Sequence, residues 1–355
     1  MNGANLKLCP ARLEPIFVPR IWGTRNLTPL FPEKKSLLEP IGEVWLTGSD
    51  CRFANEPYSG LTLGEAWPAM PVEWRGQRVG KDGPFPLLIK FIFPDDKLSI
   101  QVHPNDDYAR RHEAAKGGAG KTEMWYAIDA RPGAEVMVGL KPDVTPESFR
   151  RAITGGNAEQ CLERVPVAAG DLIFVPAGTV HTIGPGMVLC EIQEYSDLTY
   201  RVYDYNRLTA EGKPRELHTE KAMDVINFGE QSGGKLEPVR LKRGPVEETY
   251  FVACRYFATE KWAFSERVAA ATTGEHFDLM IILEGSGRFE TASGAAEYAP
   301  AQAWLIPAAL GAYQIAPVKR TAMLRTYVPD IVQDFVRRLQ DQGVAEAAWS
   351  RLVYP

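Results

Sequence analysis

The sequence predicts a mainly β protein of the sandwich or barrel type, with short helices in its connections. Alternating apolar segments bounded by glycine or proline, such as P-L-L-I-K-F-I-F-P from Pro86, are typical of strands. In the second half, Y-F-V-A-C-R-Y-F, F-D-L-M-I-I-L-E-G and A-W-L-I-P follow at regular spacing. The segment G-D-L-I-F-V-P-A-G-T-V-H from Gly170 is echoed by A-Q-A-W-L-I-P-A-A-L-G-A from Ala301, as expected of a duplicated β-barrel.

Helical patterns interrupt the strands at a few places. Proline at a helix start, glycine after a helix end and apolar residues at helical spacing predict them. The predicted helical ranges are 105–115, 145–153, 157–164 and the segment D-I-V-Q-D-F-V-R-R-L-Q near the end of the chain. A polar, glycine-containing connector over 230–245 divides the chain. We therefore expect a first domain over 1–235 with helical insertions and a second β domain over 236–355 that ends in a short helix.

The composition is that of an ordinary globular protein. Of 355 residues, 45% are hydrophobic and 24% charged, and the formal net charge is -5. This acidic balance argues against nucleic acid or an anionic membrane as the main partner. No apolar run reaches about 18 residues, and the N-terminus lacks a signal-peptide core. Because the five cysteines are scattered, we expect them to be reduced and the protein to be cytoplasmic.

The segment L-S-I-Q-V-H-P from Leu98 carries an unusual polar face for a strand. Gln101 and His103 are two residues apart and therefore point to the same side. His181 follows the turn P-A-G-T-V, and Glu123 begins a strand in K-T-E-M-W-Y. Two imidazoles, a carboxylate and an amide suit Zn²⁺ with an open position, although Fe²⁺, Mn²⁺ and Co²⁺ also fit. We predict a metal site on these four side chains.

Several motifs together resemble a known enzyme family. Glycine, a strand, P-x-G and then His181 resemble the second motif of the cupin superfamily. In order, L-S-I-Q-V-H-P, K-T-E-M-W-Y, P-A-G-T-V-H and E-I-Q-E-Y-S-D-L-T-Y-R resemble the signature segments of the short bacterial form of type I mannose-6-phosphate isomerases. The resemblance is close over 15–207 and looser beyond. It implies a jelly-roll cupin barrel followed by a degenerate cupin-like domain.

The resemblance also implies the reaction and the residues that perform it. The expected reaction interconverts mannose 6-phosphate and fructose 6-phosphate by proton transfer through a cis-enediolate, with one Zn²⁺ per chain and a small sugar phosphate as the partner. The implied zinc ligands are Gln101, His103, Glu123 and His181. The implied catalytic residues are Arg201, Glu191 and Asp197, and the implied phosphate contacts are Ser99 and Lys121.

The required chemistry agrees with these residues but leaves alternatives open. An enediolate needs a divalent metal or a fixed guanidinium to stabilise negative charge on oxygen. Glu191, Asp197 and a water on the metal are each candidates for the general base. Another metal-dependent cupin enzyme, such as a different sugar phosphate isomerase or an iron dioxygenase, and a non-catalytic sugar-binding cupin also remain open. The second domain lacks the P-x-G-x-x-H histidine, so we expect it to support the structure. The oligomeric state is left open.

Overall fold

The computed structural model describes residues 7–80, 83–209, 212–229 and 233–355. The first residues of the chain, where the absence of a signal peptide is predicted, and residues 230–232 of the predicted connector lie outside these ranges. Within them, the chain is mainly β and has the cupin fold.

The strands are numbered β1–β24 in chain order. The first thirteen are β1 Ala11–Leu13, β2 Ile16–Thr24, β3 Ile41–Trp45, β4 Leu87–Ile92, β5 Ile100–Val102, β6 Glu123–Ala130, β7 Glu135–Leu140, β8 Leu162–Pro166, β9 Leu172–Val175, β10 His181–Ile183, β11 Met187–Glu194, β12 Tyr200–Tyr203 and β13 Gly234–Leu236. The others are β14 Val239–Arg243, β15 Val246–Cys254, β16 Ala258–Phe264, β17 Val268–Ala271, β18 Asp278–Glu284, β19 Gly287–Thr291, β20 Gly294–Tyr298, β21 Ala303–Ile306, β22 Ala312–Pro317, β23 Thr321–Tyr327 and β24 Val353–Tyr354.

The helices are short and lie in the connections. They are α1 Leu63–Ala66, α2 Val72–Arg75, α3 Asp106–His112, α4 Pro146–Thr154, α5 Thr219–Val225, α6 Arg337–Asp341 and α7 Glu346–Trp349. A π-helical segment, Ile331–Val336, runs directly into α6, and 3₁₀ turns occupy Trp67–Ala69, Ala114–Lys116, Ala158–Cys161 and Ser350–Leu352. The Asn105 and Thr145 side chains cap α3 and α4 by accepting backbone N–H groups, which explains where these helices begin.

The sheets form two similar sandwiches, as the internal echo predicts. In the first, the sheet β13-β9-β6-β11-β4-β3-β2 faces the smaller sheet β12-β5-β10-β7-β8. In the second, β1-β21-β18-β23-β16-β15-β14 faces β17-β22-β19-β20, and β24 pairs with β15. The order of the corresponding strands is the same in both halves, except that β12 and β24 have no counterpart.

The largest hydrophobic core joins the two halves. It contains buried residues of both large sheets, among them Phe91 and Leu172 from the first and Leu279 and Leu305 from the second. Two further cores fill the interiors of the sandwiches, around Trp125 in the first and around Met280, Phe289 and Trp304 in the second. The two halves are therefore packed through apolar surface and not connected by a loose linker.

Three sequence predictions need correction or addition. The predicted helix over 157–164 is a 3₁₀ turn followed by strand β8, because Leu162–Pro166 pairs with β7. The described part of the predicted connector contains β13 and β14, which pair with different sandwiches. The N-terminal strand β1 pairs with β21 of the second sandwich. We propose that the domain boundary lies near 235–236, in β13, shortly before the chain enters β14.

Phe277 tests the core between the two halves. Its ring packs 5.7 Å from the Trp67 ring and 5.3 Å from the Phe85 ring, and the side chain is fully buried. Phe277→Ala should therefore lower the free energy of unfolding by about 3–5 kcal/mol, measured by denaturant titration. Leu38→Ala is the control, because Leu38 is 94% exposed and its loss should change stability by less than about 0.5 kcal/mol. Equal effects of the two changes would contradict the packing described here.

Candidate active site

One wall of the site is a row of three side chains at the same level of neighbouring strands. His181 of β10 lies opposite Gln101 of β5, and Arg201 of β12 lies opposite Gln101 from the other side. Residues directly opposite one another in an antiparallel pair point to the same face. The imidazole, the amide and the guanidinium therefore face the same space, although they come from distant parts of the sequence.

The facing sheet supplies the second wall. Lys90 of β4 lies opposite Glu191 of β11, which in turn lies opposite Trp125 of β6. Glu123 begins β6 two residues before Trp125 and so shares its face. The Trp125 Nε1–H group donates a hydrogen bond of 3.1 Å to Glu191 Oε2. Acidic and basic side chains thus project into the interior of the first sandwich.

Three of the predicted ligands meet between these walls. One ligand atom from each of His103, Glu123 and His181 lies within 4.8 Å of the others, and all three residues are buried. His103 Nδ1 donates to the Leu198 carbonyl at 2.8 Å, and His181 Nδ1 donates to the Thr179 carbonyl at 2.9 Å. A carbonyl oxygen only accepts, so the proton of each ring lies on Nδ1. Both Nε2 lone pairs are therefore directed at the cluster.

These ligand atoms fit a divalent cation. Glu123 Oε1 lies 3.3 Å from His181 Nε2 and 3.8 Å from His103 Nε2, so a carboxylate oxygen faces two lone pairs. Both Glu123 oxygens and His103 Nε2 are buried without a hydrogen-bond partner among the described residues, although Lys121 Nζ forms an ion pair of 2.8 Å with Glu123 Oε2. Buried acceptors that face one another are unfavourable unless a cation lies between them.

Burial keeps both imidazoles in the form that binds metal. The pKa of His181 is lowered to about 4, chiefly by burial and also by the nearby Lys121 ammonium, while the hydrogen bond to the Thr179 carbonyl opposes the shift. Burial, followed by the Lys121 charge, also lowers the pKa of His103 well below its ordinary value. Only neutral imidazole can donate a lone pair to a metal ion, so both rings are ready to do so near neutral pH.

Gln101 and Ser99 lie above this cluster on the same strand face. The Gln101 amide nitrogen lies 3.2 Å from His181 Nε2, and the Ser99 hydroxyl donates to Gln101 Oε1 at 3.4 Å. Ser99 and Gln101 both line a cleft, whereas His103 is buried beneath it. Of the three side chains that the sequence places on one polar face, Gln101 lies within β5, which spans Ile100–Val102, and Ser99 and His103 flank the strand.

The cleft has a volume of about 830 Å³ and collects most of the predicted site residues. The predicted residues on its surface are Ser99, Gln101, Lys121, Glu191, Asp197 and Arg201. His103, Glu123 and His181 lie below its floor. A cleft of this size accommodates a small-molecule substrate, and its lining is rich in charged groups.

Arg201 lies at one side of this cleft with capacity for further hydrogen bonds. Its Nη1 group donates to the Glu216 carbonyl at 3.0 Å, while its buried Nε–H has no acceptor in the described part of the chain. Burial lowers the pKa of Arg201, and the neighbouring Arg215 charge lowers it further. Arg215 itself is held by Asp204. The Arg201 guanidinium is therefore positioned, charged and available to an oxyanion.

Comparisons with known proteins agree with this geometry. Residues 11–132 match the family model of the phosphomannose isomerase type I catalytic domain, and residues 247–325 match that of the mannose-6-phosphate isomerase cupin domain. Mannose-6-phosphate isomerase ManA of Bacillus subtilis is 36% identical over 316 residues, which cover 86% of this chain and 95% of ManA. The chain belongs to the type I mannose-6-phosphate isomerase family. It is therefore an isomerase. Of the functions left open by the sequence, membership in this family favours the isomerase over a dioxygenase or a non-catalytic sugar-binding protein.

Other mannose-6-phosphate isomerases are similar to this chain in sequence or in fold. Mannose-6-phosphate isomerase of Streptococcus mutans is 36% identical over 284 residues, covering 78% of this chain and 86% of that protein. The crystal structure of mannose 6-phosphate isomerase from Bacillus subtilis matches with a TM-score of 0.81 and 32% identity, covering 89% of this chain and 99% of that one. A phosphomannose isomerase variant from Salmonella typhimurium, at 16% identity and a TM-score of 0.71, shares the fold; 90% of this chain and 99% of that one are covered.

The sequence interpretation missed two charged residues of the site in this family member. Lys90 is only 2% exposed, and its Nζ lies 2.9 Å from Asp197, 3.6 Å from Glu191 and 3.9 Å from Glu43. Burial opposes its charge, but these carboxylates raise the pKa of Lys90 above its usual value, so it stays protonated. The sequence signal that could have identified Lys90 is the presence of a lysine inside the apolar run L-L-I-K-F-I. Glu43, in G-E-V-W-L, is held by Arg20 through two hydrogen bonds of 2.9 Å.

The two predicted acidic residues of the cleft differ in environment. Glu191 is buried, and burial raises its pKa although Lys121, 3.8 Å away, opposes the shift. Asp197 is half exposed at the rim; burial opposes ionisation, but Lys90 and then Lys121 lower the pKa of Asp197 overall.

None of the helices in the described ranges is both long and apolar enough to cross a membrane.

Proposed function

We propose that this protein is a cytoplasmic, metal-dependent mannose-6-phosphate isomerase that uses one Zn²⁺ per chain. The observation that carries the proposal is the buried His–Glu–His cluster beneath a cleft that presents Lys121, Lys90 and Arg201. A sugar phosphate has hydroxyls that can bind above a metal and an anionic end that needs cations. The names of the relatives support the choice of mannose 6-phosphate.

In this proposal, the metal is held by His103, Glu123 and His181, with Gln101 as the neighbouring fourth candidate. Two imidazoles and a carboxylate favour Zn²⁺, and the same ligand set can also bind Fe²⁺, Mn²⁺ or Co²⁺. When bound, the metal would supply a Lewis acid for the oxygens at C1 and C2 of the sugar. The two carbonyl acceptors behind the imidazoles fix the orientation of the rings for this purpose.

The chain's own residues bind and orient the substrate. Ser99 offers a hydroxyl and Lys121 an ammonium group for the phosphate, and both line the cleft. Lys90 neutralises part of the acidic cluster formed by Glu43, Glu191 and Asp197. Without this lysine, the carboxylates would repel an anionic substrate.

Glu191 is the base that the geometry favours for proton transfer. It would take the proton from C2 of mannose 6-phosphate and deliver it to C1, while the hydroxyl proton on O2 is transferred to O1, so that the aldose becomes the ketose. A carboxylate whose pKa is raised by burial is a stronger base and takes a proton from carbon more readily than Asp197, whose pKa is lowered. The Arg201 guanidinium would stabilise the enediolate oxygen during this transfer. Asp197 then has an electrostatic role through Lys90.

Ser99→Ala tests the phosphate contact. A lost hydrogen bond to a charged group costs about 1.5–3 kcal/mol, so KM for mannose 6-phosphate should rise about tenfold or more while kcat changes little. Steady-state kinetics measure both constants. A variant with unchanged KM and a lowered kcat would show that Ser99 acts in the chemical step instead.

The substrate itself is tested by a panel of sugar phosphates. A coupled assay measures the rate at which fructose 6-phosphate forms from mannose 6-phosphate. This rate should exceed the rate of turnover of other aldose phosphates. Faster turnover of another sugar phosphate would show that this compound, and not mannose 6-phosphate, is the preferred substrate. Oxygen uptake upon iron addition, with no isomerisation, would favour the dioxygenase chemistry of the same ligand set.

A further inference from the structure

A second cleft opens in the second sandwich at the position that corresponds to the active site of the first. Its volume is about 650 Å³, which is within the range of small-molecule sites. Its lining includes Trp262 and Tyr313, the buried side chains of Asp278 and Arg325, and Arg338 from the C-terminal helix α6. The proposed isomerase reaction does not use this cleft.

Strand pairing relates the two clefts residue by residue. Glu123 lies opposite Val175, which precedes Pro176, and Asp278 lies opposite Ile306, which precedes Pro307. Asp278 is therefore the counterpart of the proposed metal ligand Glu123. Both residues are buried at the start of a central strand.

The charged pair beside the catalytic metal cluster is present in the second cleft with its signs exchanged. Lys90 lies opposite Glu191 in the first large sheet, and Glu260 lies opposite Arg325 in the second. Lys90 and Glu191 belong to β4 and β11, while Glu260 and Arg325 belong to the corresponding strands β16 and β23. The second sandwich has thus retained a buried polar interior and not an apolar one.

The second cleft lacks the metal ligands of the first. In the second sandwich Ala312 lies opposite Ala271, just as His181 lies opposite Gln101 in the first. The two alanines therefore take the places of His181 and Gln101. Thr273, two residues after Ala271, takes the place of His103. Among the described residues, the cluster around Glu123 is the one group of three ligating side chains. Whatever this cleft binds is therefore bound without a metal on these positions.

The arginines of the second cleft are all paired with carboxylates. Each of its three arginines is held by a buried carboxylate: Arg325 by Asp278 at 2.9 Å and by Glu260, Arg338 by Glu260 at 2.9 Å, and Arg243 by Glu248 at 2.6 Å. Three guanidinium groups thus face three carboxylates, Asp278, Glu260 and Glu248, while Asp334, which pairs with Arg78 at 2.6 Å, and Asp341 also line the cleft, so its lining carries no excess of positive charge. A dianion would have to separate these pairs, whereas a neutral ligand would not.

Several features provide for a neutral polar ligand. Trp262 Nε1 and Arg325 Nε are buried donors without an acceptor in the ranges that the structure covers. Trp262 and Tyr313 line the cleft but are only 4% and 3% exposed, and the Arg243 and Arg325 guanidinium groups lie 5.9 Å and 5.5 Å from the centre of the Trp262 ring, so the cleft offers a ligand mainly polar groups. Ala271 and Ala312 are exposed at the cleft and leave space where the first sandwich has larger polar side chains.

We propose that this second cleft binds a neutral, polyhydroxylated ligand of the class of unphosphorylated sugars, without a metal ion. Paired arginines and carboxylates present planar donors and acceptors that match vicinal hydroxyls. The proposal gives the second domain a binding role in addition to the structural one expected from its missing histidine. It is independent of the isomerase reaction, because none of the proposed catalytic residues lines this cleft.

The test follows the tryptophan indole signals of the full-length, metal-containing protein by NMR. Trp262 reports on the second cleft and Trp22 on the catalytic cleft, and Trp262→Phe and Trp22→Phe assign the two signals. D-mannose and the disaccharide maltose, added in the millimolar range, should shift the Trp262 signal in a saturable manner. Because turnover is not measured, the result does not depend on the outcome of the isomerase assay.

Filling the cleft provides the matched variants. Ala271→Trp combined with Ala312→Trp should weaken the sugar-induced shift of Trp262 by about tenfold or more, without disturbing the buried ion pairs. Ala295→Trp, an exposed alanine on β20 outside the cleft, should leave it unchanged. The proposal is overturned if sugars shift only Trp22, if they shift neither signal, if the filled variant responds like the wild type, or if inorganic phosphate displaces the sugar from Trp262.

Discussion

Glu123→Gln is expected to remove the bound metal and to lower kcat for mannose 6-phosphate about 10³-fold. The carboxylate is the only anionic member of the three-residue ligand cluster, and both of its oxygens are buried beside the two imidazole Nε2 atoms. A neutral amide retains the size of the side chain but loses the charge that offsets the divalent ion. The expected factor corresponds to the several kcal/mol that a Lewis acid contributes to a developing oxyanion.

The measurement combines metal content by elemental analysis with steady-state kinetics. Asp278→Asn is the matched control for metal content, because Asp278 is the register counterpart of Glu123 in the second sandwich and has no pair of histidines beside it. This variant should keep the wild-type amount of metal. If Glu123→Gln kept both its metal and its turnover, Glu123 would not be a metal ligand.

Arg201→Ala is expected to lower kcat by about 10²–10³, with a smaller change in KM. The guanidinium lies at the same level as Gln101 and His181 on adjacent strands, and its Nε–H is not used within the described structure. The loss of one preorganised donor to an oxyanion has an effect of this size. Arg201→Lys should recover only part of the rate, because an ammonium group cannot reproduce the planar donor geometry.

Arg240→Ala controls for a simple loss of positive charge. Arg240 is exposed on β14, outside the catalytic cleft, so its replacement should leave kcat within a factor of about two. Circular dichroism should show that both variants are folded. A rise in KM alone in Arg201→Ala would show that Arg201 binds the substrate but does not stabilise the transition state.

The sequence predicted the site best where chemistry and local structure coincide. Gln101 lies on β5, which ends at Val102 directly before His103, and His181 follows a turn that Gly178 permits at a φ of +86°. These local signals identified residues that the fold then brings together. The convergence of His103, Glu123 and His181 itself depends on strand order, which spacing along the chain does not reveal.

Lys90 illustrates what local patterns could not predict. Within L-L-I-K-F-I it resembles a strand lysine that reaches solvent, but the pairing of β4 with β11 directs it to Glu191 and Asp197 inside the cleft. The connector predicted over 230–245 contains strands in its described part for a related reason. Its polar residues belong to the edge strands β13 and β14, and edge strands tolerate the polarity that is typical of loops.

Removal and restoration of the metal test the central claim most directly. The protein is treated with a chelator, and its conversion of mannose 6-phosphate to fructose 6-phosphate is measured before and after addition of stoichiometric Zn²⁺. We predict that turnover falls about 10³-fold in the metal-free protein and returns when one Zn²⁺ per chain is bound. Full activity in the protein shown by elemental analysis to be free of metal would contradict the account.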